Sequence, residues 1–192
     1  MKNLIKKTAL LSSLFVLTSL PVFAAETYDV DPVHSSVVYK LHHFGVPNQG
    51  IFTDVSGKVV FDEKNPSKTT VDLTIKADSF YTGNGKREEH IKSPDFLNVK
   101  QFPEIKFKSK SVKAKGKMDF EVTGDLTLHG VTKEVKGVFT RVGKTKGMKG
   151  EMRSGGETTL KLKRSDFGMK ELLGPVSDEI SLSITVEGIL KK

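Results

Sequence analysis

Histidines are the residues of this sequence best suited to bind a metal or move a proton, and two of the five, His42 and His43, are adjacent. Because neighbouring side chains in an extended strand point to opposite faces, the two imidazoles cannot readily ligate one ion. Cysteine is absent, and neither Glu88 nor Glu89 belongs to a His-Glu-x-x-His motif. We therefore predict no metal site, and we interpret the histidines as solvated or hydrogen-bonded groups.

Catalysis by a side-chain nucleophile needs an activated hydroxyl or thiol, a base and a group that orients the base. His34 and Ser35 are neighbours only in sequence, and no Gly-x-Ser-x-Gly motif occurs. Asp29 and Asp31 flank a single position, which does not indicate two carboxylates that converge across a cleft. The sequence therefore predicts a protein that is not an enzyme and has no cofactor.

The first 24 residues have the pattern of a secretory signal peptide. Three lysines precede an apolar run over 9–20, and small residues lie three and one positions before a cut after Ala24. The apolar run is shorter than the roughly 20 residues that a membrane-spanning helix needs. We therefore predict an exported, periplasmic protein that does not span the membrane and consists of one domain over 25–192.

Excess lysine could also indicate binding of nucleic acid or phosphate. Removal of the three lysines in the signal peptide lowers the formal net charge from +8 to +5, and the remaining lysines alternate along predicted strands. The glycine-containing segments 82–86 and 143–150 match neither the P-loop nor the dinucleotide-binding pattern. We interpret the lysines as a solvated outer face and predict no nucleic-acid partner.

These side chains must be positioned by strands, because apolar and polar residues alternate in short runs along most of the chain. In 71–77, for example, the odd positions are apolar and the even positions are polar. About eight such runs occur, which predicts an all-β, eight-stranded antiparallel barrel. The runs cover 35–41, 51–61, 71–77, 104–108, 117–128 with a bulge at Gly124, 133–141, 157–164 and 180–186.

Two segments depart from this alternation. Good helix formers occupy 86–91, and Ser93 followed by Pro94 provides an N-cap and a proline at the first helical position. We therefore predict a short helical insert around 84–98 that covers one opening of the barrel. Five glycines among lysines in 142–156 predict a mobile hairpin end.

Five motifs occur in order along the chain. They are YDVDPVHS at 28–35, TGNGKREEHIKSPDF at 82–96, FPEIKFKS at 102–109, GDLTLHGVTK at 124–133 and RSDFGM at 164–169. Together they resemble the YceI-like family of periplasmic, lipocalin-like proteins. The resemblance implies a barrel that holds a polyisoprenoid, an isoprenoid quinone or a fatty amide in a hydrophobic tunnel. It also implies a homodimer, as is common in the family, and no catalysis.

We therefore predict that the protein binds a long-chain amphiphile, derived from an isoprenoid or a fatty acid, for carriage or sequestration. Phenylalanines spread over several runs favour an apolar tunnel. The predicted apolar wall consists of Phe52, Phe96, Phe102, Phe107, Phe167 and Met169, and the predicted contacts to the polar head are Arg87, His90 and Asp166. Two alternatives stay open: an enzyme that acts on a lipid or quinone, and a stress-response protein whose barrel is filled by side chains.

Overall fold

The computed structural model describes residues 25–192, so the predicted signal peptide lies outside the described residues. The described strands are β1 (Glu26–Val30), β2 (Ser36–His43), β3 (Val46–Phe52), β4 (Val55–Phe61), β5 (Thr70–Lys76), β6 (Phe80–Tyr81), β7 (Glu104–Ala114), β8 (Asp119–Leu128), β9 (Val131–Lys146), β10 (Met152–Lys163) and β11 (Glu179–Leu190). The helix α1 (Gly85–Lys92) lies between β6 and β7. From residue 25 onward, none of the helices has the length and apolar character that crossing a bilayer requires.

The strands form one closed antiparallel barrel of eight strands, which confirms the predicted fold. Three of the eight barrel strands are each divided into two segments. The segments β1 and β2 pair with different parts of β11. Next to them, β4 pairs with β1 and β3 pairs with β2, and then β5 pairs with β4 and β6 pairs with β3. Strands β7 to β11 are continuous, and each pairs with its neighbour in the chain. The pairing of β11 with β1 and β2 closes the barrel. Among the described strands, the short β6 pairs with β3 alone.

The predicted helical insert is confirmed, and its helix begins at Gly85. The Asn84 side chain accepts a hydrogen bond from the Arg87 N–H, at 3.1 Å. The Glu88 carboxylate accepts from the backbone N–H of Thr82. The bond from Arg87 begins the helix at Gly85, because it satisfies a donor that a helix N-terminus leaves unpaired. The bond from Thr82 holds the preceding chain against the first turn. Ser93 is the C-cap residue of this helix, and its hydroxyl accepts from the Asp95 N–H at 3.2 Å, so it also caps the turns that follow, as its residue type predicts.

Residues 142–156 form the predicted hairpin end, and most of the segment is paired strand, since β9 continues to Lys146 and β10 begins at Met152. The mobility of this end stays a prediction. Val142 and Gly143 of β9 oppose the single residue Gly155 of β10, which forms a β-bulge. Gly143 has φ 82° and thus adopts the left-handed conformation that glycine tolerates. Glycine therefore serves the bulge here rather than a long loop.

The bulge predicted at Gly124 lies on the opposite strand. Ser109 and Ser111 of β7 face Gly124 and Thr123 of β8, so the extra residue belongs to β7. A Cβ atom at Gly124 would lie 2.5 Å from the Lys108 carbonyl oxygen and 2.6 Å from the Phe107 ring. Glycine is thus required where the Phe107 ring crosses the neighbouring strand.

One side of the barrel is held by side chains rather than by the backbone ladder. The pairing of β9 with β10 ends at Thr140 and Glu157, whereas each strand remains paired with its other neighbour. Beyond that point the Thr158 hydroxyl donates to the Val138 carbonyl oxygen at 2.8 Å, and the Leu160 side chain lies against Gly137. We call this junction between 131–139 of β9 and 158–163 of β10 the seam.

Candidate ligand cavity

The interior of the barrel contains a cavity of about 470 Å³. This volume lies within the range of about 300–1,000 Å³ that is typical of small-molecule sites. Inward-facing residues of nearly every strand line the cavity, and most are aliphatic or aromatic. They include Val37, Tyr39, Phe52, Val55, Leu73, Ile75, Phe80, Ile105, Phe107, Leu126, Leu128, Phe139, Leu160, Leu162, Ile180, Leu182, Ile184 and Val186.

The cavity follows the barrel axis for much of its length. Gly155 and Leu162 of β10 both line it, and seven residues at about 3.4 Å each correspond to about 24 Å along the strand. Ile105 and Val112 of β7 line it over the same number of residues. A space this long with apolar walls suits an extended chain.

Incomplete burial of inward side chains shows that the barrel is not filled. Ile180, Leu182 and Ile184 of β11 point into the barrel, yet each is only half-buried. In a filled core, aliphatic side chains at such positions are normally close-packed on all sides. Their remaining exposure is toward the cavity.

One end of the cavity is closed by a small aromatic cluster. Tyr28, Phe61, Val112 and Phe120 are buried there, and the Phe61 and Phe120 rings meet edge to face at 5.4 Å. Burial and a hydrogen bond to Glu26 raise the pKa of Tyr28 to about 12, so its hydroxyl stays protonated. We call this the closed end.

Arg141 also lines the closed end. Its guanidinium carbon lies 4.3 Å from the centre of the Phe61 ring, and its Nε donates to the Ser154 hydroxyl at 3.0 Å. Sequence reasoning missed Arg141, although a signal was available. Val135, Gly137, Phe139 and Arg141 occupy alternate positions of one strand, so they share the inward face.

The opposite end carries α1 and is more exposed to solvent. Arg87, His90 and Ile91 of the helix border the cavity there. Arg87 is exposed, and its Nη1 donates to the Asn48 side-chain oxygen at 3.4 Å. His90 Nε2 lies 3.2 Å from the Asp95 carboxylate. Since Arg87 and His90 are exposed here, whereas the aromatic residues at the closed end are buried, the mouth of the cavity lies beside α1.

A buried arginine organises the chain beside the mouth. Arg164 is 1% exposed, and its guanidinium donates four hydrogen bonds to backbone carbonyl oxygens of the loop 169–177. Burial lowers its pKa, against the opposing effect of Asp178 and Glu171. Met169 and Val176 of the loop line the cavity, so Arg164 positions part of its wall. Sequence reasoning missed this role, because four carbonyl partners leave no side-chain pattern.

Six of the nine residues predicted to contact ligand border the cavity, and three do not. Those that border it are Phe52, Phe96, Phe107, Met169, Arg87 and His90. Phe102 packs against the His129 ring at 4.7 Å, and Phe167 is buried in the turn that follows β10. Asp166 points outward to Lys133, 3.4 Å away. Gly168, at φ 83°, turns the chain between Phe167 and Met169, so only Met169 reaches the cavity wall.

A charged cluster outside the cavity ties β1 to β10 and β11. Asp31, His34 and Glu187 come close enough to share a cation. The Arg153 guanidinium, however, already bonds both carboxylates, at 2.8 Å from Asp31. The hydrogen bond from His34, followed by that from Arg153, lowers the pKa of Asp31 to about 2. The arrangement is an ion-pair network that stabilises the junction of these strands.

The chain is similar to known proteins over nearly its full length. A family model described as the YceI-like domain matches residues 28–188. Protein YceI of Salmonella arizonae is 40% identical over 192 residues, which cover 100% of this chain and 99% of that protein. These matches agree with the resemblance of the five sequence motifs.

Solved structures share the fold. The crystal structure of Burkholderia cenocepacia BcnA aligns with a TM-score of 0.74 and 25% identity, covering 83% of this chain and 99% of that one. The crystal structure of the Campylobacter jejuni YCEI protein aligns with a TM-score of 0.68 and 26% identity, covering 98% of this chain and 100% of that one. A polyisoprenoid binding domain from Saccharophagus degradans aligns with a TM-score of 0.66 and 16% identity, covering 85% of this chain and 98% of that one. Because the family model and the Salmonella arizonae relative match nearly the whole chain, the chain belongs to the YceI-like family.

Proposed function

We propose that the protein binds a long-chain amphiphile, of isoprenoid or acyl type, inside the barrel. The long apolar cavity is the observation that carries this proposal. Burial contributes about 25 cal/mol for each Å² of apolar surface removed from water, so 100 Å² of ligand surface contributes about 2.5 kcal/mol. Tight binding of such a chain therefore requires few polar contacts.

The Saccharophagus degradans domain is a polyisoprenoid binding domain, and at 16% identity its likeness to this chain extends to the fold alone. The support for an apolar ligand accordingly comes from the walls described above. Phe52, Phe96, Phe107 and Met169 are the sequence-predicted residues that we retain as wall contacts. Arg87 and His90 at the mouth would contact the part of the ligand that reaches solvent.

We propose that the protein acts in the periplasm, as a carrier or a sequestering protein. The signal-peptide pattern of the sequence supports this location. A homodimer stays a prediction.

Binding accounts for the cavity better than the two alternatives do. A barrel filled by side chains would leave no space along its axis, whereas this barrel holds a cavity of about 470 Å³. A lipid hydrolase with a side-chain nucleophile would need a base beside that nucleophile. Of the histidines that border the cavity, His90 contacts the Asp95 carboxylate and His43 packs against the Phe44 ring. Neither contact supplies an activated hydroxyl.

The test is native mass spectrometry of the protein purified without detergent from its own periplasm, followed by solvent extraction. We expect a bound prenyl or acyl species at one copy per chain. An apo mass that persists after isoprenoid quinones, polyprenols and fatty acids are offered would contradict the proposal.

A matched pair of variants shows whether the ligand occupies the cavity. Leu182 points into the cavity, whereas its neighbour Ser183 points outward and is exposed. Leu182→Trp should therefore obstruct the cavity and remove the bound species, and Ser183→Trp should retain it. Equal ligand content in the two variants would place the ligand elsewhere and contradict the proposal.

A further inference from the structure

The closed end of the cavity contains a positive charge without a direct counter-ion. Within residues 25–192, no carboxylate lies within ion-pair distance of the Arg141 guanidinium. It bonds the Ser154 hydroxyl, lies over the Phe61 ring and is close enough to the Tyr28 hydroxyl to oppose the rise in the pKa of that group. Glu26 is near enough for Arg141 to help lower its pKa. That carboxylate, however, is already bonded to Lys144 at 2.7 Å and to the Tyr28 hydroxyl at 2.8 Å.

One nitrogen of this guanidinium is also unsatisfied. Among the described residues, the buried Nη2 of Arg141 finds no hydrogen-bond partner. Buried polar groups in folded proteins almost always have a partner, and a charged donor without one is especially unfavourable. The cavity is thus apolar along its length but ends in a charged donor that is available for a hydrogen bond.

We propose that the closed end binds the anionic head group of the amphiphile, so that a carboxylate or phosphate oxygen accepts hydrogen bonds from Arg141. The tail then extends along the apolar walls toward α1. This inference rests on the proposed function, since it specifies which end of the ligand enters first and which charge the ligand carries.

The surroundings of Arg141 favour an anion. Phe61 and Phe120 are buried beside it, and their exclusion of water strengthens an ion pair relative to one in solvent. Ser154 Oγ accepts from Arg141, so the hydroxyl hydrogen can turn toward the same anion. The β-bulge at Val142 and Gly143 directly follows Arg141, and bulges commonly redirect side chains beside binding sites.

The mouth is a weaker site for the same head group. Arg87 is exposed there and donates to Asn48. Ion pairs between exposed groups contribute little, because water and salt screen them. A head group at Arg141 should therefore give a strong preference for an anion, and a head group at Arg87 a weak one.

The test is isothermal titration calorimetry with hexadecanoic acid, hexadecyl phosphate and hexadecanol, which share a chain and differ in the head group. A hydrogen bond to a charged group is worth enough to give about 10- to 100-fold in affinity. We therefore expect the wild-type protein to bind one or both anions about 10- to 100-fold more tightly than the alcohol. The tighter anion identifies the head group as carboxylate or phosphate.

Arg141→Met should remove this preference while affinity for hexadecanol stays within a few fold. Lys117→Met is the matched control, because exposed Lys117 carries the same charge and does not line the cavity. It should retain the wild-type preference. If Arg141→Met does not fold, Arg141→Gln replaces it, and loss of the preference in Arg87→Met would still place the head group at the mouth.

Equal affinity of the wild-type protein for the acids and the alcohol would overturn the inference and leave the proposed function intact. Loss of the preference in Arg87→Met, with retention in Arg141→Met, would overturn it by moving the head group to the mouth. Failure of all three ligands, and of prenyl compounds, to bind would instead contradict the proposed function.

Discussion

Replacement of Arg164 by methionine should destabilise the barrel at its mouth. The guanidinium is buried and donates to the carbonyl oxygens of Met169, Glu171, Val176 and Ser177, at 2.7–3.0 Å. Each hydrogen bond to a charged group is worth about 1.5–3 kcal/mol, but the freed carbonyls can regain water if the loop moves outward. We therefore expect the free energy of unfolding to fall by about 3–5 kcal/mol, as when one partner of a buried charged pair is removed.

Thermal unfolding measures the effect. At about 2–4 °C per kcal/mol for a domain of this size, Tm should fall by about 6–20 °C. Hydrogen exchange should also accelerate at the amides of 169–177. Arg164→Lys should give an intermediate loss, because one ammonium cannot reach all four carbonyls in the fork geometry of arginine.

Lys163→Met is the control, since Lys163 is exposed and adjacent in sequence. It should change the free energy of unfolding by no more than about 0.5 kcal/mol. The reasoning would be refuted if Arg164→Met were as stable as this control and exchange in 169–177 were unchanged.

Two further predictions concern other parts of the barrel. Gly124→Ala should destabilise by about 1–3 kcal/mol in urea unfolding, since its Cβ would meet Phe107 and Lys108. Gly116→Ala, whose Cβ meets nothing closer than 3.7 Å, should be nearly neutral, and equal effects would contradict this packing argument. The lowered pKa of Asp31 means that its carboxylate stabilises the fold above its ordinary pKa of 3.8, and that this stabilisation is lost as pH falls toward about 2. Tm should therefore decline more steeply between pH 4 and 2 in the wild-type protein than in Asp31→Asn, and parallel profiles would exclude the role assigned to Asp31.

Strand alternation predicted the barrel because a period of two assigns each residue to a face without any knowledge of its neighbours. Val71, Leu73 and Ile75 illustrate this, since all three face the cavity as their spacing predicts. The same rule would have placed Arg141 inside. A charged residue in an inward series is easily taken for an interruption of the pattern, although here it marks the end of the cavity.

Other features depend on contacts that sequence spacing does not encode. Ser93 has the residue type of an N-cap and accepts from the Asp95 N–H, but only turns follow it, and the helix begins earlier, at the Asn84 cap. Phe102 and Phe107 lie five residues apart in one motif, yet only Phe107 reaches the cavity, because Phe102 packs on His129 outside it. Choosing between such residues requires the register of the strands and the path of the turns.

The seam between β9 and β10 leaves the circumference of the barrel adjustable. Backbone hydrogen bonds fix the spacing of paired strands at about 4.8 Å, so a fully paired barrel has a fixed circumference. Along the seam the two strands are joined by the Thr158 hydroxyl and by Leu160 packed on Gly137. The strands can separate there by moving side chains alone, with every backbone ladder intact. The barrel can therefore adjust its width to ligands of different thickness, while its length stays set by the strands.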